Sequence, residues 1–402
     1  MSLIEPFRGI YYNSYYIKDL AKVVCPPYDV MDKKEENFFR RISPYNFCNI
    51  LKKDNTSTYA HLKHTFRKWL EEKILIQDKK PYFYLYEQTF KLNNKKKRRV
   101  GLLGLLRIDK EKVIFPHEYT FSSPKKDRYY IIKEFNANLS PIFVIVPNKI
   151  SVLNKIYKKY QKKRPFINFL DLAMVKNKVW RIENKKSIDE IRRAFLNRKV
   201  FIADGHHRFE VACKYFRETK GKLKGANYIL TYFTDTSNGL TILPTHRIVK
   251  LVTSFNDSID KFKKYFNIIS VTQKYLREKI NQPVSKEIFF GMYYNNQCYI
   301  LKLKSKILLD KIFKKDIVYR NLDVYILHRL VLKFLNNGKI KYTHSLDEAM
   351  KLSNKKYISF ILKPTSLRYV FEIAKKGYRL PHKSTYFYPK LLSGILMRRF
   401  ES

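Results

Sequence analysis

Apolar positions along this chain follow two rhythms, and each predicts a different element. After Thr58, residues Tyr59, Leu62, Phe66, Trp69 and Leu70 recur at three-to-four spacing, with Lys63, Arg67 and Lys68 between them. That is an amphipathic helix with Thr58 as its cap. Elsewhere the apolar residues come in short unbroken runs. Gly101–Leu106, Ile142–Val146, Val200–Ile202 and Tyr228–Phe233 have the length of buried strands. Basic Asn93–Arg99 reads as the turn of a hairpin whose arms are Tyr82–Phe90 and Val100–Ile108. A helix, a hairpin around Val175–Ile182 and a helix from Ser187 to Asn197 fill residues 149–198, with Ser187 and Glu190 forming a capping box. Beyond Leu251 come a helix through Ile259, Phe262 and Phe266, a hairpin turning at Tyr294–Asn296, a helix from Leu322 to Leu335, a strand at Tyr357–Leu362 and a helix at Leu367–Lys375. Strands and helices mixed in this way predict an α/β (α+β) protein with a mixed sheet. The expected division is an α/β core over residues 1–250 and a smaller α+β lobe over 251–402, whose tail returns to the core.

One junction carries most of the chemistry. The run Val200–Ile202 leads into Ala203-Asp204-Gly205-His206-His207-Arg208, and Phe209, Ala212, Cys213 and Phe216 then mark one face of a helix. Polar groups therefore gather where a strand ends and a helix begins. Gly205 permits a tight turn. The first helical turn offers N–H groups and the positive end of the dipole, which suit an anion. Around that point Asp204 can hold Mg²⁺, Arg208 can grip a phosphate with two bonds, and His206 or His207 can donate to an oxyanion. A strand–Gly–helix turn is common in structures that bind nothing. Four ionisable groups in five positions favour a site.

Composition changes this picture little. Lys+Arg (82) exceed Asp+Glu (35), for a net charge of +47. Such a charge attracts polyanions, but the lysines are spread along the whole chain and the aromatics fall at core spacing, so nucleic acid is the minor reading. Cys25, Cys48, Cys213 and Cys298 form no C-x-x-C pair, which argues against a disulfide framework or a zinc knuckle. Met1–Pro6 does not read as a signal peptide, and no apolar run reaches the length of a membrane span. A reduced, cytoplasmic protein without membrane contact is expected.

Other polar motifs sit at strand ends or in rigid loops. Pro26-Pro27-Tyr28-Asp29-Val30 is a rigid extended loop; it reads equally as a structural turn or as the wall of a pocket into which Asp29 could point. Pro116-His117-Glu118-Tyr119-Thr120 offers Glu118 as a general base; Phe121 stands where a zincin H-E-x-x-H motif needs its second His, so that motif is set aside. Lys126-Asp127-Arg128 opens a helix. His246 and Arg247 end another strand-like segment and, taken alone, read as surface residues. Lys383-Ser384-Thr385 supplies an ammonium and two hydroxyls, a triplet suited to phosphate, without the glycines of a Walker A loop.

Taken together and in order, Pro6–Gly9, Pro26–Val30, Pro116–Thr120, Lys126–Arg128, Asn138–Phe143, Ala203–Ala212, Gly239–Arg247 and Lys383–Lys390 resemble the domain of unknown function 1015 family over nearly the whole chain. Phe209 stands where that family usually has Tyr, so no hydroxyl there is essential here. More distantly, Asp204–Arg208 resembles the phosphate-binding box of the ParB/sulfiredoxin-like superfamily, which includes free-serine kinases. That resemblance implies a ParB/sulfiredoxin-like core and a bound nucleotide. No cysteine lies between Ala203 and Ala212, which disfavours sulfiredoxin chemistry.

The leading expectation is Mg²⁺-dependent phosphoryl transfer from a nucleotide, ATP or ADP, to a small hydroxyl substrate, with serine first. Gly205, His206, His207, Arg208, Arg247, Lys383, Ser384 and Thr385 would hold phosphate. Glu118 and Asp204, with His206 and His207, would do the chemistry, Asp204 as the metal ligand. Tyr28, Asp29, His117, Arg128 and His246 would line the substrate side. One alternative is a metal-dependent hydrolase built on His117, Asp204, His206, His207 and His246. The other is a non-catalytic, nucleotide-switched or DNA-associated protein of ParB type. All versions with one site require the distant motifs to converge.

Overall fold

The computed structural model describes residues 2–109, 111–120, 122–220, 222–282, 287–313, 317–335 and 340–400. Phe121 lies outside them. The chain divides into two compact units. The first comprises Met1–Pro116, Thr120–Leu240 and Pro389–Ser402, and the second His117–Tyr119 and Thr241–Tyr388. The division therefore falls ten residues before the one expected, and the last segment belongs to the first unit.

The first unit is built on a nine-stranded mixed sheet. In chain order its strands are β1 (Ile4–Glu5), β2 (Phe83–Leu92), β3 (Lys95–Arg107), β4 (Ile114–Phe115), β5 (Ile142–Val146), β6 (Ile167–Leu170), β7 (Lys176–Ile182), β8 (Val200–Asp204) and β9 (Tyr228–Asp235). They lie side by side as β4-β8-β5-β9-β3-β2-β7-β6, with β1 paired to β3. β8 runs parallel to β4 and antiparallel to β5, and β9 runs parallel to β5. Besides two earlier helices at Lys33–Ile42 and Cys48–Leu51, the helices of this unit include α1 (Tyr59–Glu71), α2 (Ser122–Phe135), α3 (Ser151–Tyr160), α4 (Lys185–Ala194) and α5 (His206–Glu218). Thr58 caps α1 by accepting from the His61 N–H, as its position predicts. The cap of α4 is Asn184, which accepts from the Ser187 N–H, so Ser187 lies inside the helix instead of at its cap.

The apolar runs read from the sequence form the core. Leu102, Ile142, Val144, Ile202 and Phe233 of the sheet pack with Leu153 and Ile156 of α3 and with Phe209, Ala212 and Cys213 of α5. Each Leu, Ile, Val or Phe among them stabilises the fold by roughly 1.5–3 kcal/mol through burial. The β2–β3 hairpin turns at Asn93 and Asn94, with φ of 49° and 60°. Two successive positive φ angles give the turn a twist that matches paired strands, and Asn tolerates them. The turn is thus shorter than the sequence suggests, and Lys95–Arg99 belongs to β3. Gly239 sits against the start of that strand: a Cβ there would lie 1.8 Å from the Arg98 carbonyl oxygen.

The second unit holds a six-stranded antiparallel sheet. Its strands are β10 (His246–Lys250), β11 (Phe266–Val271), β12 (Phe289–Tyr294), β13 (Gln297–Leu303), β14 (Ile340–Thr343) and β15 (Tyr357–Ile361), in the order β11-β13-β12-β15-β10-β14. α6 (Phe255–Lys263), α7 (Asp323–Leu330) and α8 (Leu367–Lys375) pack around Phe262, Phe290, Leu301, Leu327, Phe360 and Val370. Among the described residues no helix is long and apolar enough to cross a membrane.

Candidate functional site

β8 ends at Asp204 and α5 begins at His206, with Gly205 between them in the left-handed region at φ 88°. A Cβ on Gly205 would meet the Arg208 guanidinium at 3.0–3.1 Å. Glycine therefore serves twice here: it makes the turn, and it lets Arg208 fold back over it. Gly205, the N-cap of α5, has no side chain of its own to cap the helix, and no acidic residue stands in the first turn. The positive end of the helix dipole thus lies next to Asp204, with no acidic residue in the first turn itself.

Asp204 is held from two sides. Arg208 donates to its Oδ2 at 2.9 Å and also donates to the Pro141 carbonyl. Lys390 pairs with its Oδ1. Both cations are largely buried, with 12% and 13% of their side chains exposed. A third cation, Arg99, is fully buried among Phe143 and Tyr232, its guanidinium 4.8 and 5.5 Å from their rings. Burial lowers its pKa, and Asp204 counteracts that. One carboxylate thus pairs with two cations at the start of α5, with a third, Arg99, close enough to feel its charge. The excess positive charge suits an anion.

His206 is buried and His207 half-buried at the same turn. Tyr28 and Arg128 also belong to the first unit. The Arg128 guanidinium lies 3.9 Å from the centre of the Tyr28 ring, and Arg128 donates to the Leu51 carbonyl and to Asp127. Burial pushes the Tyr28 hydroxyl upward, Asp29 adds to the shift, and Arg128 and Arg208 oppose it. Tyr28, Asp29, Arg128 and Arg208 therefore share one electrostatic neighbourhood.

The other expected residues come together in the second unit. Glu118 Oε1 accepts from the Lys383 N–H at 3.0 Å. Arg247, 1% exposed, donates to the carbonyls of Thr245 and Lys383. His117 Nε2 and Thr385 Oγ1 are 3.1 Å apart, and Ser384 donates to the Pro381 carbonyl. Lys383 itself has φ 56°. Glu118 and Arg247 thus fix a strained turn at Lys383 through its backbone. His246 and Arg247 are buried, not exposed, because β10 runs between β14 and β15. His246 Nδ1 accepts from the Leu362 N–H, and burial holds its pKa down to about 4. Among the described residues no group of three or more His, Cys, Asp or Glu side chains is placed to hold a metal ion. Of the residues named for a hydrolase, Asp204, His206 and His207 belong to the first unit and His117 and His246 to the second.

A family model described as Protein of unknown function (DUF1015) matches residues 4–325. The chain belongs to that family. Solved structures similar to this DUF1015 protein include SbnI from Staphylococcus aureus, with C-terminal truncation, at 11% identity and a TM-score of 0.41, covering 72% of this chain and 85% of that one. A mutant free serine kinase in complex with ADP is similar at 14% identity and a TM-score of 0.36, covering 70% and 86%. A conserved hypothetical protein from Pyrococcus furiosus is similar at 14% identity and a TM-score of 0.34, covering 71% and 91%. No curated protein matches the chain.

Two residues of the candidate site are not singled out by the sequence. Arg99 sits in a basic run that resembles a solvated hairpin tip, yet it is fully buried. The available signal is its type: in a lysine-rich chain, an arginine marks a place where the planar fork is needed. Lys390 closes the long motif Lys383–Lys390 but has no local pattern of its own.

Proposed function

We propose that this chain binds a phosphate-bearing small molecule, with ATP or ADP as the leading candidates, at the start of α5. The observation that carries this reading is the glycine-led start of α5 beside the cations Arg208 and Lys390, which pair with Asp204, and the buried Arg99. Backbone N–H groups and an excess of cations are what a phosphate needs. The Gly205 turn lets Arg208 fold back over the helix start, which keeps its guanidinium beside Asp204.

Mg²⁺ fits this place as the companion of a polyphosphate. Asp204 would supply the protein's oxygen, but both its oxygens already hold cations, so the ion depends on charge brought by the ligand. When bound, Mg²⁺ neutralises phosphate charge. The residues of the chain do the rest: the helix start orients the phosphates, and Lys390 and Arg208 balance their charge.

Phosphoryl transfer to a small hydroxyl substrate is the reaction such a cradle serves best, because that chemistry is mostly positioning and charge neutralisation. Serine is the first acceptor to test. Thermal shifts with ATP, ADP, AMP, CTP and GTP, each with and without Mg²⁺, test the binding step. A ligand at a hundred times its Kd adds about 2.7 kcal/mol, which is readily seen. A shift with adenine nucleotides supports the reading, and an acceptor screen with labelled ATP then tests transfer. No shift with any nucleotide overturns it.

A further inference from the structure

Lys390 owes its place to two polar side chains in the middle of the nine-stranded sheet. Gln88 on β2 and Arg99 on β3 are register partners, and both are fully buried. Arg99 donates to Gln88 Oε1 and, at 2.6 Å, to the Pro389 carbonyl. Gln88 Nε2 lies 3.3 Å from the Lys390 carbonyl and donates to it. The peptide carbonyls on either side of the Lys390 Cα are thus both held from the sheet. Burying a guanidinium is costly unless its bonds are satisfied. Here one of those bonds goes to a segment some 290 residues further along the chain. The side chain that this clamp positions is Lys390, whose ammonium reaches Asp204.

The two cations on Asp204 are held differently. Arg208 has a second anchor at the Pro141 carbonyl and packs against Gly205. Lys390 carries a single ammonium on four rotatable bonds, with a fixed backbone behind it.

We propose that Lys390 is the cation that changes partner when ligand binds. Its ammonium moves from Asp204 to a phosphate oxygen, while Arg208, Arg99 and Gln88 keep their places. The ligand class is a compound with a terminal phosphate dianion. This inference rests on the phosphate-site reading, and no covalent bond changes in it.

Calorimetric titration with inorganic phosphate and with ADP, both without Mg²⁺, tests the inference on wild type, Lys390→Gln, Lys390→Arg and Asp204→Asn. Circular dichroism confirms that each variant is folded. Lys390→Gln is expected to weaken binding about tenfold or more, since it removes a charge-assisted bond. Lys390→Arg keeps the charge and stays within several-fold of wild type. Asp204→Asn is expected to tighten binding several-fold, because it releases Lys390 and removes a negative neighbour. Opposite signs for Lys390→Gln and Asp204→Asn are the signature; a merely structural ion pair would move both the same way. Wild-type binding with unchanged affinity in Lys390→Gln, or a loss in Asp204→Asn equal to that in Lys390→Gln, overturns the inference alone. Wild-type protein that binds neither probe overturns the phosphate-site reading and this inference with it.

Discussion

Lys390 and Asp204, 186 residues apart in sequence, form an ion pair beside the start of α5. The pair ties the C-terminal segment to the end of β8 and leaves Asp204 bridging two cations. Asp204→Ala would strand both cations in a place where water reaches them poorly. The expected cost is roughly 2–3 kcal/mol, somewhat below that of breaking a fully buried pair. Asp204→Asn keeps an acceptor and should cost about 1 kcal/mol. Urea titrations of the two variants check the order. Equal stability of Asp204→Ala and wild type would contradict it.

Arg99→Leu removes the donor to Gln88 and Pro389 and leaves two buried acceptors behind. A loss of roughly 2–3 kcal/mol is expected. Adding Gln88→Leu removes the stranded side-chain acceptor but also the donor to the Lys390 carbonyl, so it should recover little of that loss. It should not recover phosphate affinity, because Lys390 then lacks its backbone clamp. A double-mutant cycle read both by urea and by calorimetry separates the two effects.

Glu118 and Lys383 show how a candidate base can have a scaffold role. Glu118 Oε1 accepts from the Lys383 N–H, which helps to hold Lys383 at φ 56°. Glu118→Gln preserves the acceptor and should leave stability within about 0.5 kcal/mol, whereas Glu118→Ala should cost about 1 kcal/mol. Exchange of the Lys383 amide should speed up only in the Ala variant. If a nucleotide-dependent activity is found and Glu118→Gln abolishes it with that amide still protected, Glu118 acts on the substrate as well.

The second unit should lose stability in mild acid. Burial, with Arg247 nearby, holds His246 and His328 down to about 4. The unfolded chain takes up those protons near pH 6.5, before the folded chain does. Stability is therefore full above about 6.5 and falls as pH drops toward 4, by on the order of 3 kcal/mol per group. Asp323 works the other way: burial raises it to about 6, so the folded chain takes up its proton first and gains as pH falls toward 3.8. Two histidines outweigh one carboxylate. Urea midpoints at pH 7, 5.5 and 4.5 should fall, and His328→Asn should flatten the profile. A flat wild-type profile would contradict the assignment.

Much of the fold is legible in the sequence because strands and helices here follow their own periods. The turn at Asp204–Gly205 is legible because a strand run, a glycine and a helix face meet there. Arg99 is not, because burial of a charge depends on partners such as Pro389 that lie far along the chain. His246 and Arg247 mislead for a related reason: polar residues at the start of a strand look exposed until that strand is seen between two others. Ser187 misleads locally, since Asn184 competes for the same N–H and wins the cap.

Hydrogen–deuterium exchange with and without ADP tests the central claim most directly, because it reads where the ligand sits as well as whether it binds. The account predicts slower exchange in peptides covering residues 203–212 and 388–392. Protection confined to other segments, such as the basic β2–β3 hairpin, or no protection at saturating ADP, would contradict it.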